Sequence, residues 1–175
     1  LKSETSRSRP PAVAGVGRWG SSSPPPVTGH RPRAAMGGVV AQLAFPVPNK
    51  EYGQAALRQR RDRISLNTSN NNTIVAIHIK RSPHSGRTIL YSHGNAEDLG
   101  QILPYIDRMA EICAADVLAY DYCGYSLSTG EASEDGCYQS IDAAYAYLKR
   151  EGCGGKDNPI IAFGRSIGSG PTVDL

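Results

Sequence analysis

No apolar run in this sequence reaches the roughly 18 residues that a membrane-spanning helix needs, so no transmembrane helix is expected. Cysteine is scarce, and its pattern builds nothing. The four residues, Cys113, Cys123, Cys137 and Cys153, form no C-x-x-C pair and no ligand spacing. They read as free thiols in a reducing compartment rather than a disulfide frame. Nothing forms a zinc site, and no metal or cofactor is expected. Internal repeats are absent. Histidine stops early: His30, His78, His84 and His93 all lie in the first part of the chain.

What is present divides unevenly. The 175 residues, 39% hydrophobic, fit one domain with a tail. The formal net charge of +3 belongs to the tail. Residues 1–35 hold Lys2, Arg7, Arg9, Arg18, Arg31 and Arg33 against Glu4 alone, whereas the remainder carries 13 basic and 15 acidic residues. The same stretch has six prolines, six serines and four glycines, with no apolar periodicity. It cannot bury enough apolar surface to offset its ordering entropy. It lacks the apolar stretch of a secretory signal, and its prolines oppose an amphipathic transit helix. The first methionine is Met36. Residues 1–35 are therefore expected to be a leader preceding the true start at Met36, with a disordered tail or targeting peptide as the alternative. Residues 36–72 form an N-terminal segment, and 73–175 the first part of a folded domain.

Strands and helices alternate from residue 74 onward. Ile74 to Lys80 has period-2 patterning. Pro83 to Gly86 is a turn. TILYS at 88–92, DVLAY at 116–120 and PIIAF at 159–163 are short apolar strands. Ile102, Ile106, Met109 and Cys113 recur at helical spacing, after a start signal in Asp98 and Gln101. Ser133 is an N-cap with Glu134 and Asp135 in the first turn, and Tyr138, Ile141, Tyr145 and Leu148 share one face up to Gly152. This order implies an α/β class, a parallel sheet with helices on both faces.

Gly164-Arg165-Ser166-Ile167-Gly168 matches G-x-S-x-G and directly follows PIIAF. A serine nucleophile must project from a sharp strand-to-helix turn, and flanking glycines let backbone pack closely around it. The following helix points its positive end at a developing oxyanion. Ser166 is thus the candidate nucleophile. One oxyanion donor is expected from the Ile167 N–H. The other comes from the loop after the TILYS strand, where His93-Gly94-Asn95 offers the Asn95 N–H, with Gly94 giving the loop freedom to turn. His93 itself reads as structural, because this arrangement orders its triad serine, acid, histidine.

Four blocks carry a resemblance. SHGNAEDLGQ at 92–101 is similar to SHGNAxDLGQ. LAYDYCGYSLSTG at 118–130 is similar to YDYSGYGxSSG. SIDAAYAYL at 140–148 resembles a DIxAAY helix, and FGRSIGSGPTVDL at 163–175 resembles YGQSIGSGPTVDL. These are patterns of the alpha/beta hydrolase domain-containing protein 17 family, and MGGVVAQLAFPVP at 36–48 resembles the start of some members. The resemblance implies an α/β-hydrolase fold with a mostly parallel sheet, cut after the nucleophile elbow. It also implies a serine hydrolase of protein depalmitoylase type, acting on S-acylated proteins at the cytosolic face of membranes or in the cytoplasm. Peripheral membrane association follows from the acylated N-terminus of many members. Gly37 is the corresponding candidate, although Ala41 stands where Ser or Thr favours myristoylation, and one such chain anchors weakly.

The departures fall around the site. Cys123 replaces a serine, Ser126 a glycine and Arg165 a glutamine. The first two put the geometry of the turn after DVLAY in question. Arg165 either alters the pocket charge or points to solvent. The family's triad acid and histidine lie beyond Leu175, and Asp174 is a helix surface residue, so this chain is expected to be catalytically inert by itself. Competing readings are an acylglycerol lipase, esterase or peptidase of the same fold, and a non-catalytic binding protein. The Arg58, Arg60, Arg61 and Arg63 run reads as a solvated loop face, and no nucleic-acid partner is expected. Tyr105, Tyr120, Tyr122, Tyr125 and Tyr138 read as packing, Asn70 to Asn72 as a hairpin tip and Cys153 as a helix-end residue.

Overall fold

The structure, a computed structural model, describes residues 45–48, 51–81 and 85–175. The expectations for the leader 1–35, Met36, Gly37 and Ala41, and part of the turn at 83–86, lie outside the described residues. In chain order the elements are α1 (Glu51–Gln59), β1 (Arg63–Asn67), β2 (Thr73–Ile79), β3 (Thr88–Ser92), α2 (Leu99–Cys113), β4 (Asp116–Tyr120), α3 (Glu134–Arg150), β5 (Ile160–Gly164), a 3-10 turn (Ser166–Gly168) and α4 (Ser169–Asp174).

The strands form one sheet in the order β1-β2-β4-β3-β5. β3 pairs in parallel with β4, Thr88 opposite Asp116, and with β5, Thr88 opposite Ile160. The parallel expectation fails for β2, which runs antiparallel to both β1 and β4. The reason is the short link between β2 and β3. A parallel return needs a crossover of a dozen residues or more, and the link from Ile79 to Thr88 is shorter than that. α1 and β1 also differ from the reading of 58–63 as a charged loop. Ile64 and Leu66 turn inward between the exposed Arg63, Ser65 and Asn67, a period-2 pattern too short to stand out beside the arginines. Arg60 is not solvated alone: it donates to Asp62 (2.7 and 2.8 Å) and Asp107 (2.7 and 2.9 Å), tying the end of α1 to α2. Asn70 to Asn72 do form the β1–β2 hairpin tip, with Asn71 in the left-handed region.

β3 and β4 are buried along their whole length, as strands covered on both faces must be. One face packs Val75, Ile77, Tyr91 and Val117 against Ile102, Leu103, Ile106 and Ala110 of α2 and Leu57 of α1. The other packs Ala76, Leu90, Leu118 and Tyr120 against Cys137, Ile141, Ala144 and Leu148 of α3. Both helices are capped as their sequences predict. Asp98 accepts the Gln101 N–H at 2.9 Å and Ser133 the Gly136 N–H at 3.0 Å. The α3 stripe centres on Cys137, Ile141, Ala144 and Leu148, with Tyr138 and Tyr145 at its flanks. Cys113 is exposed and the other three cysteines are buried, all of them free.

β5 ends the sheet and is the exception to burial. Ile161 and Phe163 are 45% and 44% exposed, so PIIAF is not the fully covered strand its composition suggests. The two departures in the turn after β4 are both buried. Cys123 packs in the core under Ser140, whose hydroxyl accepts the Cys123 N–H at 3.1 Å. Ser126 takes φ +46 where the related pattern has glycine, and its buried hydroxyl has no hydrogen-bond partner. Left-handed backbone costs a residue with a Cβ about 1–2 kcal/mol. Ser126→Gly is therefore expected to stabilise the fold by about 1 kcal/mol after the added freedom of the unfolded glycine is subtracted. Urea unfolding checks this, and an unchanged or lower midpoint would contradict it.

Candidate active site

The chain leaves β5 at Gly164 and turns sharply. The Arg165 N–H donates to the Ser92 carbonyl at the end of β3 (3.0 Å), and Ser166 then adopts φ +51. A non-glycine residue in that region is strained. It holds because both sides of the turn are clamped. Ser166 itself is exposed, whereas the Ile167 side chain packs on the core. The two flanking glycines sit where nothing larger fits. A Cβ on Gly168 would lie 2.5 Å from the Ser92 carbonyl oxygen and 2.6 Å from that of His93. One on Gly164 would lie 2.5 Å from the Gly168 carbonyl oxygen. The spacing of the pentapeptide thus has a steric cause on each side.

The loop after β3 is held from beneath. Tyr122 donates to the His93 carbonyl (2.8 Å), and the Tyr120 hydroxyl pairs with Ser92 Oγ (2.6 Å). Thr172 of α4 donates to the Gly168 carbonyl (2.7 Å) and lies 3.1 Å from the same Ser92 hydroxyl. His93 is fully buried, with Nδ1 2.9 Å from the Gly94 carbonyl and Nε2 3.5 Å from Asp121 Oδ1. Nδ1 lies within hydrogen-bond distance of that carbonyl, whereas Nε2 faces Asp121 without a hydrogen bond. Asp121 Oδ1 also accepts the Leu99 N–H at 2.8 Å, so this carboxylate ties the start of α2 to the loop. Burial raises the Asp98 carboxyl above its usual range; its bond from the Gln101 N–H opposes this, Asp121 adds to it and His93 opposes it.

Gly94 does not supply the turn expected of it. The left-handed residue in the loop is Ala96, at φ +56. Gly94 instead admits a carboxylate: its N–H donates to Glu97 Oε2 at 3.0 Å, where a Cβ would stand 2.9 Å from that oxygen. Asn95 is exposed at the tip, its side-chain oxygen accepting the Ala96 N–H at 3.0 Å. Arg165 neither points free into solvent nor stands alone in the pocket, because its guanidinium pairs with Glu97. The fold thus brings Ser166, Ile167, Gly94 and Asn95 onto adjoining turns at the ends of β5 and β3. Asp174 lies on the exposed end of α4. Glu97, Asp121 and Tyr122 carry much of this arrangement and escape sequence reading. For Asp121 a signal exists, a carboxylate immediately after the apolar run Val117 to Tyr120. Of the aromatics read as packing, Tyr120, Tyr122 and Tyr125 are buried, whereas Tyr105 is 48% exposed and lies against Tyr91. Among the described residues no group of His, Cys, Asp and Glu could hold a metal ion, and no helix is long and apolar enough to cross a membrane.

A strained serine after a parallel strand, clamped by glycines against the end of its neighbour, belongs to the α/β-hydrolase fold. Solved structures agree. An alpha-beta hydrolase from Vibrio vulnificus superposes with a TM-score of 0.59 at 22% identity, covering 85% of this chain and 56% of that one. A family model described as Chlamydia CHLPS protein (DUF818) matches residues 50–172, and the chain belongs to that family. Its curated relatives bear out the resemblance read from the four sequence blocks. Alpha/beta hydrolase domain-containing protein 17B of Xenopus tropicalis is 40% identical over 108 residues, 62% of this chain and 37% of that protein. Alpha/beta hydrolase domain-containing protein 17C of Homo sapiens is likewise 40% identical over 62% of this chain and 32% of its own length. The chain spans about a third of the length of these relatives.

The clamp at Gly168 can be tested directly. Gly168→Ala forces a methyl group into two backbone carbonyls and is expected to cost about 1–3 kcal/mol or more. Gly170→Ala, whose Cβ would meet only Tyr138 Oη at 3.6 Å, is expected to be neutral or mildly stabilising. Thermal unfolding of the two variants beside the parent chain checks the contrast.

Proposed function

We propose that this protein is a serine hydrolase acting on acyl thioesters, with S-acylated proteins as substrates and palmitoyl-protein depalmitoylation as the reaction. The observation that supports it most is Ser166, exposed at φ +51 between two glycines that cannot be enlarged. Ser166 Oγ attacks the thioester carbonyl, forming a C–O bond as its proton passes to a base. The oxyanion is received by the Ile167 and Asn95 N–H groups. The C–S bond then breaks, the cysteine sulfur leaves with a proton, and water hydrolyses the acyl-serine to the fatty acid. The choice of a thioester over a lipid ester or small ester rests on the relatives' likeness, as do peripheral association with the cytosolic face of membranes and acylation at Gly37.

Among the described residues, no base or orienting acid is assigned to Ser166. His93 is buried against Gly94 and Asp121, and His78 Nδ1 pairs with the Tyr147 hydroxyl at 3.0 Å. The 175-residue chain alone is therefore expected to turn over neither thioester nor ester above a Ser166→Ala control. In a polypeptide extended to the length of the curated relatives, Ser166→Ala is expected to lower kcat by about 10⁴-fold or more. Acyl-thioester and acyl-ester hydrolysis, measured on both polypeptides and both variants, tests this. Turnover by the extended polypeptide that survives Ser166→Ala would refute the role of the serine, and preference for the ester would refute the substrate.

A further inference from the structure

Glu97 stands between the two turns that make the site. Its Oε2 accepts the Gly94 N–H at 3.0 Å, and its Oε1 pairs with the Arg165 guanidinium. The Arg165 chain runs along the same glycine: a Cβ on Gly94 would lie 3.8 Å from Arg165 Cδ. Arg165 is bound at its backbone too, through the N–H donated to the Ser92 carbonyl. The carboxylate is mostly covered, its side chain 20% exposed against 56% for Arg165. An exposed ion pair alone contributes little. This one differs, since one sheltered carboxylate also holds a backbone amide, and hydrogen bonds to charged groups are the stronger ones. Glu97 and Arg165 also act on buried Tyr91, whose phenol is pushed up chiefly by burial, with Tyr105 and Glu97 adding to the shift and Arg165 opposing it. The related pattern SHGNAxDLGQ leaves position 97 open, and YGQSIGSGPTVDL has glutamine where Arg165 stands.

We propose that Glu97 is a positioning residue that locks the Gly94–Asn95 loop against the nucleophile turn through Arg165, setting where the loop's N–H groups point. The proposal rests on reading Ser166 and this loop as one hydrolase site. Without Glu97 the Gly94 amide loses its acceptor and the loop is released from the turn, while the sheet beneath keeps its Tyr122 and Tyr120 supports. Glu97→Gln retains an acceptor for Gly94 and a weaker partner for Arg165. Arg165→Ala keeps the Gly94 bond and removes only the tie between the turns.

Amide hydrogen exchange on the 175-residue chain tests the lock without requiring activity. Glu97→Ala is expected to speed exchange of the Gly94 amide by about tenfold or more, with β3 and β4 protection unchanged. Glu97→Gln is expected to restore most of the protection, and Arg165→Ala to give an intermediate effect that 1 M salt reproduces in the parent chain. Unchanged Gly94 exchange in Glu97→Ala, or protection lost evenly across the sheet, would overturn the proposal. In the extended polypeptide, Glu97→Ala is expected to lower kcat about tenfold with KM little changed, rescued by Glu97→Gln. If the parent polypeptide hydrolyses nothing while the exchange pattern holds, the hydrolase reading fails and the lock stands. If it hydrolyses thioesters and Glu97→Ala does so equally well, the lock fails.

Discussion

Where the chain turns out of β5, Gly168 lies against the carbonyl oxygens of Ser92 and His93, closer than any Cβ could approach. This backbone-to-backbone contact sets the rest of the site. It fixes the elbow to the end of β3, so that Ser166 is held in a conformation it would not choose and faces solvent. It also places the loop that follows β3 beside the serine. A rigid sheet that supplies both strand ends gives the two turns a common reference, and packed interiors transmit such constraints because they deform little.

Beneath that contact the residues are polar as well as packed. Tyr120, Tyr122 and Thr172 bring hydroxyls to the end of β3 and the elbow, and His93 and Asp121 meet in full burial. Buried polar groups of this kind are costly unless paired, and when paired they select one arrangement over its neighbours. Their partners lie on β3, α2 and α4 and in the loop after β3, which come together at the site. The end of β3 and the elbow thus gather one set of buried polar groups, while His78, Thr88 and Asp116 are buried elsewhere on the sheet.

The outer edge of the sheet behaves differently. Ile161 and Phe163 on β5 show large apolar surface to solvent, as do Val173 and Leu175 near α4. The strand that leads into the serine is thus an edge strand with two of its large apolar side chains exposed. Its order comes from pairing along β3, from the Gly168 contact and from the Tyr91–Phe163 stack at 5.6 Å.

Much of this was legible in the chain. The four strands from residue 73 onward form within a residue of where apolar runs place them, and the Asp98 and Ser133 caps act as written, because periodicity and capping are local effects. The glycines around Ser166 announced a tight turn, and backbone oxygens approach both of them closely. The antiparallel course of β2 was not legible in strand composition, since strand direction depends on how a link crosses the sheet. Nor were β1, whose five residues follow an arginine-rich stretch, or the exposure of β5, which depends on what lies beside it. Above all, the pairing of Glu97 with Arg165 and of His93 with Asp121 joins residues 68 and 28 positions apart. Sequence by itself determined which residues could form a strand, cap a helix or permit a turn. Only the tertiary structure decided which charges met, because contact across a sheet follows from strand order, and strand order is a property of the whole chain.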